Sequence, residues 1–240
     1  VLGWDQETMM PAKGQAARGR ALGTLAAVKH AKLTASALQD AVAASEVEAE
    51  EGSVLEAKAR EARRHVDRAC KIPSALAKAL AEGTSAGLVA WQSARAADDF
   101  SLFEKDLAHL VQLNREKAAA LSPDGPAYDA LLDEFEPGAT EAELLPLFHD
   151  LGKELAPLIK AVQDSGVVVD ESPAQGDFPQ QAQEDFGRKV AKQMGYDFEA
   201  GRLDLAAHPF CSGFAIGDVS ITWRFLKDDF RSALFGIMHE

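Results

Sequence analysis

Cysteine is nearly absent: Cys70 and Cys211 are the only two in 240 residues, far apart along the chain. They provide no disulfide framework and no CxxC metal pair. Their scarcity fits a reducing compartment, and the cytoplasm is the expected location. Positive charge is also short, with 25 Lys and Arg against 38 Asp and Glu, a formal net charge of −13. That field repels phosphate backbones and anionic lipid, so neither nucleic acid nor a membrane surface is an expected partner. Long hydrophobic runs are missing. "ALFGIM" and "GVVV" fall far short of the roughly 18 residues of a membrane span. No basic segment followed by an apolar one opens the chain, as a secretory signal would. "GQAARGR" has glycines but follows no strand, which argues against a phosphate loop.

What is present is helix. At 47% hydrophobic, a chain of this length can bury a substantial core. Gln15 to about Ala44 reads as helical, with a possible restart at Thr34–Ser36, where hydroxyls can cap. Ser53 caps a second helix running to about Cys70. Pro73 opens a third, reaching about Asp99, because proline is tolerated in a first turn. Ser101 with Glu104, and Thr140 with Glu143, have capping-box spacing; they open helices to about Leu121 and Gln163. A short helix, Tyr128 to Phe135, lies between "SPDGP" and "EPG". The basic stretch Arg60, Arg63, Arg64, Arg68 and Lys71 reads as a solvated, ion-paired helix face, with Glu56 and Glu61 as i,i+4 partners of Arg60 and His65. Trp4, Trp91 and Trp223 read as core. His30, His65, His109 and His149 lack a ligand-type i+4 partner and read as structural.

The pattern breaks at about 164–178, "DSGVVVDESPAQGDFP", an irregular stretch of the length that covers a site. Helix resumes over Pro179 to Met194, with Gly195 as the residue after its end. "DVSITWRF" alternates strictly: Asp218, Ser220, Thr222 and Arg224 on one face, Val219, Ile221, Trp223 and Phe225 on the other. That is a half-buried strand. "RLDLAA", Arg202 to Ala207, is its expected antiparallel partner, giving one hairpin over about 202–225. A single hairpin is too small to stand alone and must lie on helices. Asp228 or Asp229 caps a last helix over about 228–240.

That helix ends in His239 and Glu240, the first two letters of H-E-x-x-H. In the full motif two imidazoles at i and i+4 share one helix face and reach one Zn²⁺, and the Glu takes a proton from water. The pair alone is weak, and its plain reading is a helix-end His beside a solvated Glu. The chain also starts at Val1 and stops on a Glu at a helix C-terminus, where a cation or Gly is preferred. Both ends therefore read as cuts through a longer protein.

Six stretches, in order, carry a specific resemblance: "WDQETMMP", "YDALLDEFEPG", "QGDFP", "HPF", "GDVSIT" and "DDFRSALFGIMHE". With them the whole chain resembles the carboxypeptidase Taq family of zinc metallocarboxypeptidases. The resemblance implies a mainly α, long-helix zincin-type architecture with one small β-hairpin packed on the helices. It implies that residues 1–240 are the N-terminal portion of a single larger metallopeptidase domain. His239 would be the first zinc ligand and Glu240 the general base. The second His and a third ligand, a Glu, would lie beyond the last residue, so this chain by itself is expected to be inactive and not to retain zinc. His208 of "HPF", with Asp218 and Thr222 of the family's D-x-R-x-T motif, would lie on the substrate side.

One position departs from the family: Ser220 stands where D-x-R-x-T has Arg. A carboxypeptidase must hold a free carboxylate, for which a planar guanidinium is suited. Arg224 is on the same strand face, but about 13 Å further along at about 3.3 Å per residue. From the residues alone, His208 reads as a buried, hydrogen-bonded hairpin histidine and Asp218 as a turn former. The resemblance implies peptides with a free C-terminus as substrates and a possible homodimer. Two rivals stay open: a non-catalytic helical interaction module, and an endopeptidase of similar helical fold.

Overall fold

The computed structural model describes residues 1–240. It has ten α-helices: α1 Leu2–Thr8, α2 Gln15–Leu33, α3 Ser36–Glu48, α4 Val54–Lys71, α5 Ser74–Ala97, α6 Ser101–Leu121, α7 Ala127–Leu132, α8 Glu141–Asp164, α9 Gln180–Gln193 and α10 Arg231–His239. Three strands, β1 Gly201–Leu205, β2 Cys211–Ala215 and β3 Asp218–Trp223, complete it. The chain divides into two compact units, Ala12–Leu158 and Val1–Pro11 with Ile159–Glu240. The mainly α class holds.

In the first unit, α2, α5 and α6 pack side by side through small residues. A Cβ on Gly87 would stand 2.7 Å from Leu110 Cδ1, and one on Gly83 3.0 Å from Leu113 Cδ1. Two glycines at i,i+4 on α5 thus let α6 lie close, since residues four apart share a helix face. Ala118, Leu121 and Ala130 are buried under Ile72 and Leu131. Ser53 Oγ accepts from the Glu56 amide at 3.1 Å, the expected cap of α4. Thr140 and Glu143 form their capping box, with the Thr140 amide donating to Glu143 and the Glu143 amide to Thr140 Oγ1. Ser101 does not cap α6. Its amide instead donates to Asp99 Oδ1 at 3.0 Å, because the chain leaves α5 through Asp98 at φ 51° and presents that carboxylate first.

The basic face of α4 is ion-paired, but mainly with partners distant in sequence. Arg64 and Arg68 both reach Asp133 Oδ2, at 2.9 and 2.6 Å, just past α7. Arg63 pairs with Glu46 at 2.9 Å. Lys71 Nζ donates to the Leu121 carbonyl at 3.2 Å. His30 is structural as expected, with Nε2 at 2.6 and 3.1 Å from the Ile72 and Ala69 carbonyls that end α4.

In the second unit the sheet order is β1-β3-β2. The expected hairpin exists, but its strands differ. β2 is the antiparallel partner of β3, with Ser212 opposite Ser220. β1 is parallel to β3, with Arg202 opposite Ser220 and Leu205 opposite Trp223. The antiparallel pairing expected for Arg202–Ala207 is thus corrected. Gly217, at φ +91°, makes the tight turn between β2 and β3. That turn occupies one edge of β3, so β1 must take the other edge, and it arrives running the same way.

The core of this unit holds Leu203, Ile221, Trp223, Ala191, Ala233 and Ile237, drawn from β1, β3, α9 and α10. Tyr196 ties the two parallel strands, its hydroxyl 2.6 Å from the Val219 carbonyl and 3.1 Å from that of Arg202. Gly195, at φ +101°, follows α9 as expected.

Candidate metal-binding helix end and substrate strand

The start of α10 is fixed by charge. Asp229 Oδ1 accepts from the Arg231 amide at 2.8 Å, and the Arg231 guanidinium returns to Asp229 and to Glu171 at 3.1 Å. The guanidinium and the amide of Arg231 hold the Asp229 carboxyl below its ordinary value. Ala233 and Ile237, one turn apart, are 1% and 3% exposed and face the sheet. At about 100° per residue, His239 falls two positions past that stripe and turns outward. It is exposed, and Glu240 is half-buried. The Glu240 amide donates to the Gly236 carbonyl at 3.1 Å, so the helical course runs through both.

His239 and Glu240 border a cavity of about 370 Å³ whose walls include Met194, Tyr196, Ile221 and Met238. Burial raises the Tyr196 phenol there. No three His, Cys, Asp or Glu side chains converge in the chain. A catalytic zinc takes three protein ligands. His239 provides one imidazole on an open wall, so these residues fit one grip on a metal and not a complete centre.

His208, Asp218 and Thr222 have three different settings. Thr222 is fully buried, and its hydroxyl is spent on one residue: Oγ1 accepts from the Phe210 amide at 2.7 Å and donates to the Phe210 carbonyl at 3.0 Å. Its own amide also reaches that carbonyl at 3.0 Å. Thr222 thus braces the "HPF" segment from below. His208 is exposed, with Nδ1 2.7 Å from the Pro209 carbonyl. A carbonyl only accepts, so Nδ1 carries the proton and Nε2 is left to face outward. Asp218 is exposed at the first position of β3.

"WDQETMMP" lies against "HPF". Trp4 of α1 meets Phe210 edge to face, centroids 5.2 Å apart. Glu7, one turn on, is raised by burial, and the nearby charge of His208 pulls it partly back.

Sequence reasoning missed Arg202. Counting along one strand considers Arg224, whose guanidinium is instead held by Ser232 Oγ at 3.0 Å. Across strands, Arg202, Ser220 and Ser212 form one row, because each is a register partner of its neighbour. Paired residues share a sheet face. This row borders a cavity of about 250 Å³ with Trp4, Asp5 and Phe214. Asp204 holds the guanidinium in a bidentate pair, Nη2 to Oδ1 at 2.9 Å. The missing signal was the parallel pairing of β1, which no local pattern announces.

With this geometry in hand, the chain can be set beside known proteins. The family model of the carboxypeptidase Taq (M32) metallopeptidases matches residues 1–240. Thermostable carboxypeptidase 1 of Thermus thermophilus is 38% identical over 99% of this chain and 49% of its own length. Carboxypeptidase 1 of Bacillus subtilis is 34% identical over all of this chain and 48% of its own. Among solved structures, the BsuCP crystal structure has a TM-score of 0.93 at 32% identity, covering the whole chain and 48% of that one. Trypanosoma cruzi metallocarboxypeptidase 1 has 0.78 at 31%, again over the whole chain and 48% of that one. The chain spans about half the length of the relatives it matches.

Proposed function

Because the chain belongs to the carboxypeptidase Taq (M32) metallopeptidase family, we propose that it forms the N-terminal half of one larger zinc carboxypeptidase domain that releases C-terminal residues from peptides. The observation that carries this reading is the family match over residues 1–240 together with a helix whose last two residues, His239 and Glu240, border an open cavity. In the whole enzyme His239 is one metal ligand. Zinc, when bound, supplies Lewis-acid activation of water and of the scissile carbonyl. Glu240 accepts the proton of the attacking water on its carboxylate and returns it to the leaving amine.

Substrate binding is assigned to the outward faces of His208 and Asp218, with Thr222 holding Phe210 in place beneath them. Arg202 stands beside Ser220 and is proposed to supply the guanidinium that position 220 lacks. Its pair with Asp204 must loosen or be shared when a carboxylate arrives. A cytoplasmic homodimer belongs to the same reading, and solution mass of the full-length enzyme tests the dimer. No helix here is long and apolar enough to cross a membrane.

The test is hydrolysis by the full-length protein of paired peptides differing only in a free or amidated C-terminus. Release from the free peptide alone is expected. Equal cleavage of both, within the chain, points to the endopeptidase, and cleavage of neither to the interaction module.

A further inference from the structure

The buried residues of α9 are Gln183, Gly187 and Ala191. They are spaced four apart, so they share one side of the helix. Each is committed to α10 or to the segment that leads into it. Ala191 lies in the core with Ala233 and Ile237 of α10. A Cβ on Gly187 would stand 2.3 Å from Ile237 Cδ1, well inside the roughly 3.5 Å at which carbon atoms meet. Ile237 is 3% exposed and packed in one cluster with Ile221 and Trp223, so its side chain has little room to turn away. Only glycine lets α10 come this close, two residues before His239.

Gln183 acts at the other end of α10. The chain leaves β3 at Trp223 and enters α10 at Arg231. Between them, the Leu226 carbonyl accepts from Gln183 Nε2 at 2.7 Å, and the same nitrogen donates to the Phe178 carbonyl at 2.8 Å. Carbonyls only accept, so the amide nitrogen must face both. Around this latch, residues 175–178 run beside 227–229. The Phe178 amide donates to the Lys227 carbonyl at 2.9 Å, the Gly176 amide to that of Asp228 at 3.2 Å, and Gln175 bridges Asp229. Phe178 and Phe230 close it edge to face, centroids 5.1 Å apart. Gln183 is only 5% exposed, and buried carbonyls left without their donor are costly.

Given His239 as a metal ligand and Glu240 as the base, a reading on which this rests, we propose that Gln183 and Gly187 are positioning residues for that pair. Gln183 fixes where α10 starts, and Gly187 fixes how deep its far end sits. Neither borders the cavity at His239 and Glu240, so both act through α10. Nine residues at about 1.5 Å each make a rod of about 13 Å, short enough to move as one piece. A methyl on Gly187 would push Ile237, and α10 with it, by about 1 Å. Catalytic geometry tolerates about 0.5 Å, and a misplacement of about 1 Å can cost about 100-fold in rate. The contact is therefore tight enough to matter for the chemistry.

The test compares the full-length enzyme as wild type, Gly187→Ala, Gly187→Ala with Ile237→Val, and Gln183→Met, which keeps the length and removes the donor. It reads the rate at which bound zinc passes to a chelator, kcat and KM at saturating zinc, and the unfolding midpoint. Gly187→Ala is expected to lose zinc about tenfold faster and to lower kcat about 10- to 100-fold, with KM unchanged. Ile237→Val removes the methyl that the new Cβ strikes, and adding it should restore both. Gln183→Met should move zinc loss and kcat in the same direction, and it carries the test if Gly187→Ala does not fold. Packing alone would lower the midpoint and leave zinc loss and kcat at wild-type values. That result overturns the proposal, as does failure of Ile237→Val to rescue. A wild-type enzyme that neither holds zinc nor releases C-terminal residues sinks the metal reading first and this proposal with it.

Discussion

The helical unit is assembled from small residues and surface charge, while the unit that carries His239 is assembled around a sheet with large buried side chains. On α5, glycines stand where any side chain would strike α6, and Arg64 and Arg68 of α4 converge on Asp133. In the sheet unit Trp223 and Ile221 are 1% and 2% exposed, and the buried hydroxyl of Thr222 is spent on Phe210. Close helix approach spreads stability over many weak contacts. A compact core under three strands concentrates it in a few residues. The proposed chemistry sits on the concentrated side, where geometry is held most tightly.

Substitutions can break or sharpen that contrast. Trp223→Ala is expected to cost about 3–5 kcal/mol, read by chemical denaturation. Hydrogen exchange should show the protection lost mainly in β1, β3, α9 and α10; an equal loss throughout α2, α5 and α6 would erase the distinction. Thr222→Val keeps the shape and removes the hydroxyl, and should cost about 1–3 kcal/mol through the stranded Phe210 amide. Its signature is a change at His208 and Phe210, and an unchanged spectrum there would remove Thr222 as a brace. Asp133→Ala strands two guanidiniums in the helical unit, yet half-exposed pairs are worth little, so about 1 kcal/mol is expected. A loss as large as that of Trp223→Ala would show that charge, not packing, holds this unit.

The smallest effect concerns Glu7. Its pKa is raised from the ordinary 4.5 by burial, against the nearby His208 charge. A raised carboxyl favours the folded state below its unfolded value, and that stabilisation is lost as pH rises through the folded value. Relative to Glu7→Gln, the wild-type chain should therefore lose stability between about pH 4 and pH 7, as thermal unfolding at both would show. Parallel curves would mean that α1 does not bury Glu7 against "HPF".

Legibility in the sequence follows the reach of each interaction. Helix ends set by residues three or four apart were readable: Ser53, the Thr140–Glu143 box and Gly195. The Ser101 box was not, because Asp99 competes from the preceding turn. β3 was readable from its alternation. β2 was not, since "CSGFA" carries Gly and small residues of low strand preference. The direction of β1 was hidden because parallel pairing is decided across the sheet, and Arg202 was hidden with it. Within the site, "HE" gained meaning only from five other stretches matching in order. The brace formed by Thr222 needed coordinates, since nothing in "GDVSIT" says whether its hydroxyl faces substrate or Phe210.

The most direct measurement is release of C-terminal residues by the full-length enzyme carrying Glu240→Gln, with its metal content determined alongside. Loss of a general base should lower kcat about 10²–10⁴-fold while the metal stays bound, because the substitution leaves His239 in place. Near wild-type turnover with metal retained would contradict the account, and Glu240 would then be no more than the last solvated residue of α10.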